Sequence, residues 1–439
     1  MISRARRDEL LDALRRGTVP RKSLDLLAVG LQHFEAPIDA ELERTATGLG
    51  GFKAVRGEYG SGKTFFVRWL QERARRMNFV TAEVQISENE TPLYKLNTIY
   101  RRLMERLATS DQASGAFRSV IDLWLLTLQQ DVLAEGKVDE SDEAGMQAAV
   151  TSLMARRLSK VSDQAPMFGQ ALRGYVELHQ RGEEADAEAV LAWLAGQPNV
   201  AAGAKRQAGV KGEIDHDGAL TFLRGLLAVL RDSGHAGLVL VLDEVETLQR
   251  MRSDVRDKSL NALRQFMDEI SEGLFPGLYL VLTGTPAFFD GPQGVRRLEP
   301  LAQRLHTDFD ADARFDNPRA PQIRLSGFDQ GRLEELGHRV RDIFVDGSDA
   351  SERVAAAVDD RFVSDFARAL VGELGGKVGI APRIFLRKLV TNVLDKVELF
   401  EDFDPRKDAG VKLDASELSR EEAAAIGGQN VEDIELDLD

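Results

Sequence analysis

Eight residues near the amino end concentrate the first chemistry of the chain: Gly57-Glu58-Tyr59-Gly60-Ser61-Gly62-Lys63-Thr64. Glycines let the backbone turn its amides inward at φ values other residues resist. Amides converging ahead of a helix N-terminus make a cavity that favours a polyphosphate. The spacing is G-x-x-x-x-G-K-[ST], the P-loop, in which the lysine reaches the β- and γ-phosphates and the hydroxyl ligates Mg²⁺. Gly57 through Phe65 are therefore the candidate ATP-contacting residues. Lys63 doubles as a catalytic group and Thr64 as a metal ligand.

The complementary chemistry stands much later, where the apolar run Gly237–Leu242 ends in Asp243-Glu244. An acidic pair at the end of a buried strand suits the other side of such a site. Asp243 would hold Mg²⁺ through water or Thr64, and Glu244 would orient and polarise the attacking water. Taken alone, each stretch has a plain structural reading, a glycine turn or a strand ending in an acidic turn. Together they point to hydrolysis. A small-molecule kinase fits less well, because the glutamate adjoins the aspartate and the two motifs lie far apart in the chain.

These residues need elements to position them. Residues 51–56 read as a short buried strand running into the glycine loop, and 63–77 carry helical spacing through Phe65, Phe66, Trp69, Leu70 and Ala74. Residues 79–86 alternate as a second strand, and 93–107 read as a helix. This strand–helix alternation predicts an α/β fold with a parallel sheet. From 109 to 215 only helical segments and polar breaks are legible, including an acidic break at 135–143, so the block reads as a helical insertion. The α/β pattern resumes with a helix over 219–231, the strand 237–242, a helix over 258–272 and a strand at 278–283. A short strand is expected at 322–325.

The resulting division is 1–40, an N-terminal helical segment near the nucleotide; 41–108, the first part of the ATPase core; and 109–215, the insertion. It continues with 216–327, the second part of the core; 328–405, a helical lid; and 406–439, an acidic tail whose composition suits disorder.

The 439 residues allow two or three domains' worth of core, and 43% hydrophobic with 29% charged residues is an ordinary globular balance. No apolar run is long enough for a bilayer, and the N-terminus lacks the apolar stretch of a secretion signal. The chain has no cysteine, which excludes disulfides, thiol nucleophiles and Cys-based metal sites. A cytoplasmic location is expected. The net charge of −15 means that any contact with DNA has to use a local basic patch.

The order of elements resembles an AAA+ type three-layer P-loop NTPase with a parallel sheet, a helical insertion and a C-terminal helical lid, closest in style to the initiator and STAND-like branch. That resemblance implies a polar sensor near the γ-phosphate at Thr283 or Thr285. It implies a second sensor at Arg383, in the Gly379-Ile-Ala-Pro-Arg383 setting, and an arginine finger reaching a neighbouring subunit at Arg304. Arg296 and Arg297 rival Arg304 for the last role, and each of these arginines is also an ordinary surface residue in its local context.

A narrower resemblance rests on Gly17-Thr-Val-Pro20 with Leu27-Ala-Val-Gly30, on Phe52–Phe66, on Gly237–Thr247 and on Leu282–Phe289. These stretches are similar to the P-loop ATP-binding proteins of BREX-type phage-defence systems, the BrxD-like family, which tend to be encoded beside a large helicase. The resemblance implies an ATPase driving remodelling or loading of a DNA-associated anti-phage complex. Its partners would be copies of itself, other defence-system proteins such as a helicase, and DNA. The alternative is an ATP-gated scaffold whose slow hydrolysis only resets it. In such folds the segment ahead of the first strand packs near the adenine, a part open to Val19–Gly30.

Arginines cluster at 73/75/76, 101/102/106, 156/157 and 250/252/256. Such clusters usually form solvated helix faces. The last lies just beyond the Asp-Glu strand, where it could meet phosphates.

Overall fold

The computed structural model describes residues 3–136, 138–139, 141–310, 312–373 and 381–410. Most of the expected acidic tail, from 411 on, lies outside these residues, as do Gly379 and Ile380 and parts of the acidic break at 135–143.

Five strands form one sheet: β1 Gly51–Arg56, β2 Phe79–Gln85, β3 Gly237–Asp243, β4 Leu278–Gly284 and β5 Gln322–Arg324. Their order is β2-β3-β4-β1-β5 and the sheet is parallel. β3 and β4 are buried along their whole length, as expected of central parallel strands with near-continuous apolar sequence. The register sets Phe79 against Gly237 and Gln85 against Asp243, so the C-terminal ends of β2 and β3 finish level. The outer side of β2 is closed by an antiparallel bridge, Thr81 N–H to Ala108 O at 2.9 Å and Ala108 N–H to Thr81 O at 2.8 Å.

The described chain divides into two compact units. The larger comprises Asp39–Ala54 and Arg73–His306. It carries the first four residues of β1 and all of β2, β3 and β4. Helix α4, Leu96–Arg106, packs on β2, and α10, His216–Asp232, packs on β3 and α4. Between α4 and α10 the described residues hold α5 Phe117–Ala134, α6 Glu143–Gln164, α7 Pro166–Gln180, α8 Glu184–Leu194 and α9 Ala202–Gln207, with no strand among them. These helices share one apolar core with the sheet, through residues such as Trp124, Phe168, Trp193 and Phe222. A polar clamp ties α5 and α6 to α10: Arg157 donates to Asp131 at 2.5 Å and to Asp232 at 3.2 Å, and the Trp124 indole donates to Asp232 at 2.6 Å.

The other unit comprises the described parts of Met1–Ile38, Val55–Glu72 and Thr307–Asp439. Here the N-terminal helix α1, Arg4–Arg15, buries Leu10, Leu11 and Leu14 among Leu333, Val340, Phe385, Val390 and Val393. Helix α1 is thus packed into the core of the C-terminal helices. Arg15 donates two hydrogen bonds to Asp395, at 2.9 and 2.7 Å. The expected N-terminal helical segment ends at residue 40, whereas α2 spans Gln32–Ala46 with Pro37 inside it. Pro37 is the sixth residue of that helix, so it cannot donate to His33 O and its ring crowds that carbonyl.

β5 is held to the end of β1 by Leu325 N–H donating to Arg56 O at 2.8 Å. The Arg56 and Arg324 guanidiniums both lie over the Phe309 ring, at 4.8 and 5.1 Å from its centroid.

Candidate functional site

The glycine loop leaves β1 at Arg56 and enters helix α3, Lys63–Arg76, without a gap. Gly60 and Gly62 have φ of +76° and +92°, in the region where an L side chain strains the backbone. Gly57 is tight for another reason: a Cβ there would sit 2.3 Å from Ser61 Oγ. Lys63 is buried, and its ammonium donates to Gly57 O at 2.7 Å and Glu58 O at 3.2 Å, 5.2 Å from the Tyr59 ring centroid. Ser61 Oγ is buried with no hydrogen-bond partner among the described residues. An orphaned hydroxyl, a buried ammonium and two glycines in left-handed backbone together fit a phosphate chain.

Thr64 is half-buried in the first turn of α3, and Phe65 packs beside the second core. The segment ahead of the loop is fastened to the same helix. Trp69 donates to Asp25 at 2.9 Å, and Glu72 caps the short 3₁₀ turn Leu24–Leu27 by accepting from Ser23 N–H and Leu24 N–H. Arg383 is exposed at the start of a helix, Ala381–Lys388, and runs past Gly17, where a Cβ would lie 3.7 Å from its Cγ.

The acidic pair lies in the larger unit. Asp243 is buried and Glu244 exposed. Thr283 joins them: its hydroxyl donates to Asp243 Oδ1 and accepts from Glu244 N–H at 3.0 Å. Glu244 holds φ +60°, a left-handed conformation uncommon outside glycine and of the kind that clusters at functional sites. It turns the chain from β3 into the 3₁₀ stretch Val245–Arg250.

Thr285, the rival of Thr283, has another task. It caps the helix Pro286–Asp290 by accepting from Phe288 N–H. The arginines separate as well. Arg304 pairs with Asp268, which also takes Arg264 at 2.6 Å. Arg297 binds Asp257 and donates to Ser253 at 2.7 Å. Arg296 is the most exposed of the three, and Asp290 stands 3.9 Å away.

One member of the cluster is absent from the sequence reading. Gln85, the last residue of β2, donates from Nε2 to Glu244 Oε2 at 2.8 Å. The alternation over 79–86 foretells a strand, and only the register with β3 brings its end to Glu244.

A parallel α/β sheet, a strand–loop–helix that cradles its own lysine and an acidic pair closing a buried strand define the class of P-loop nucleotide-binding proteins. The family model for the BREX system ATP-binding proteins BrxC/D matches residues 2–412, and the chain belongs to that family. No curated protein matches the sequence. No helix among the described residues is long and apolar enough to cross a membrane.

Proposed function

We propose that the protein is an AAA+ type ATPase that binds ATP with Mg²⁺ and hydrolyses it to remodel or load a DNA-associated anti-phage complex. The observation that carries this reading is the loop itself, in which buried Lys63 and orphaned Ser61 Oγ stand among glycines that take left-handed backbone at Gly60 and Gly62. In this reading Gly57–Phe65 would contact the nucleotide, and Thr64 and Asp243 would be the residues that hold Mg²⁺. When bound, the ion neutralises charge developing on the transferred phosphoryl group. Glu244 orients the attacking water, Thr283 fixes the acidic pair, and Arg383 and Arg304 supply positive charge from the lid and from a neighbouring subunit.

A second reading is favoured by one contact. The hydrogen bond from Gln85 engages the carboxylate that would activate water. A base so restrained suits an ATP-gated scaffold, assembled by binding and reset by slow hydrolysis.

Both readings require that Lys63→Ala abolish nucleotide uptake in calorimetry. Turnover measured over a protein-concentration series, with and without single- and double-stranded DNA, separates them. A steep rise with protein concentration supports the motor, and slow, flat, DNA-insensitive turnover supports the scaffold. Retained Mg-ATP binding by the Lys63→Ala chain would overturn both.

A further inference from the structure

On the larger unit, an open groove of about 510 Å³ runs between one face of α11, Ser253–Ser271, and the turn that precedes α4. Lys258, Asn261 and Gln265 line it from α11, one helical face by their spacing, and Tyr94, Lys95 and Asn97 line it from the opposite side. His216 completes the wall, and its Nδ1 accepts from Leu96 N–H at 3.4 Å, which places its proton on Nε2.

The charges in this groove are not balanced within it. Asp257 is taken by Arg297, and Arg264 is taken by Asp268. Lys95 and Lys258 form no ion pair with any described acidic residue. The Lys95 ammonium stands instead 5.7 Å from the centroid of the half-buried Tyr94 ring. In a chain of net charge −15, two uncompensated ammoniums beside an accessible aromatic ring are a local exception. Asn261 spends its amide on Asp257 O and Gln265 on Glu269, which leaves carbonyl oxygens to accept from a ligand.

We infer that this groove binds single-stranded nucleic acid, with a base stacked on Tyr94 and the adjoining phosphates held by Lys95 and Lys258. An aromatic platform beside backbone-tracking cations is how sequence-indifferent single-strand sites are built. A duplex keeps its bases stacked on one another and offers Tyr94 no face. An acidic peptide uses the lysines and leaves Tyr94 without a role. The inference deepens the DNA-associated reading above, yet the groove is separate from the glycine loop and fails or stands independently of it.

The test is a fluorescence-anisotropy titration of the full chain with a labelled oligothymidylate, each variant's fold and ATP binding being checked separately. Tyr94→Phe keeps wild-type affinity, whereas Tyr94→Ala weakens it by about 5- to 150-fold, the value of one stacked base. The double change Lys95→Ala/Lys258→Ala lowers affinity and flattens the log–log salt slope by about 1.4, for two phosphate contacts to a single strand. Equal binding by wild type, Tyr94→Ala and the double variant overturns the inference. So does polyglutamate competing as well as the oligonucleotide, or a duplex of equal length binding as tightly. ATP binding retained in all variants confines such a failure to the groove.

Discussion

Gln85 and Glu244 lie 159 residues apart in sequence, and their side chains share a 2.8 Å hydrogen bond at the level ends of two paired strands. The contact fixes the one exposed carboxylate of the acidic pair through a neutral donor. A solvent-exposed intramolecular hydrogen bond of this kind contributes about 0.5–1.5 kcal/mol. Spending it on holding Glu244 in one rotamer slows any step that needs the carboxylate elsewhere. Gln85→Ala is therefore expected to raise basal ATP turnover by up to about tenfold without changing nucleotide affinity. Steady-state phosphate release beside calorimetry decides this, and a fall in turnover would show that Gln85 holds Glu244 in its working position.

Glu244→Gln keeps the shape of the side chain and the left-handed backbone, and removes the negative charge that would polarise water. Turnover falls by about 10²- to 10⁴-fold, and ATP remains bound. The melting temperature stays close to wild type, because Glu244 is exposed and takes no part in the core. Trapped nucleotide, read by chromatography after rapid desalting, is the positive signature. Wild-type turnover in this variant would remove Glu244 from the chemistry.

Much of the local structure around the glycine loop is legible in the sequence. The strand of 51–56, the glycine loop and the helix after it are local patterns, and the observed β1 and α3 follow them closely. Asp243-Glu244 was readable because an apolar run long enough for a strand stops there. Gln85 was not, because its role depends on the register between β2 and β3, and an alternating strand says nothing about which neighbour it will meet. The placement of α1 was equally hidden. Its apolar residues announce a buried face, and the partners that cover it, such as Leu333 and Phe385, stand more than 300 residues away. Thr283 and Thr285 could not be told apart by sequence, being two residues apart at a strand end; the hydrogen bond to Asp243 and the helix cap separate them.

The glycine loop makes a prediction about sterics. Gly57→Ala places a methyl group 2.3 Å from Ser61 Oγ, so Ser61 must move from the position in which its hydroxyl faces the loop. Gly62→Ala forces a non-glycine residue to φ +92°, at a cost of roughly 1–2 kcal/mol. Both variants are expected to lose at least about tenfold in ATP affinity by calorimetry while circular dichroism shows an intact fold. Undiminished affinity in both would mean that the loop does not contact the phosphates.

Stability should respond to pH through His235. Burial lowers its pKa below the ordinary 6.5, an effect that a hydrogen bond with Asn78 only partly offsets. The unfolded chain then takes up the proton more readily than the folded one. The stability involved is present above about pH 6.5 and is lost as the pH falls through the lower folded value. Thermal melts of wild type and His235→Gln from about pH 7.5 to 5 should converge toward the acid end, because glutamine has no proton to take up. Parallel melting curves across that range would show that the imidazole is solvated alike in both states.

An arginine finger works across a subunit boundary, and Arg304, Arg296 and Arg297 compete for that role here. Arg304 is committed to Asp268, yet that carboxylate keeps Arg264 as a second partner, so Arg304 can leave without abandoning a bare charge. Arg304→Ala should cost at most about 1 kcal/mol of stability and lower turnover by roughly 10³-fold if its guanidinium meets a neighbour's γ-phosphate. Mixing settles where it acts. A Lys63→Ala subunit binds no nucleotide but still carries Arg304, and an Arg304→Ala subunit binds nucleotide but lacks the finger. Together they form interfaces in which one supplies the loop and the other the guanidinium, and part of the turnover returns. If Arg296→Ala shows that recovery and Arg304→Ala does not, the trans-acting role passes to Arg296, the more exposed arginine. No recovery with either would place the chemistry within a single chain.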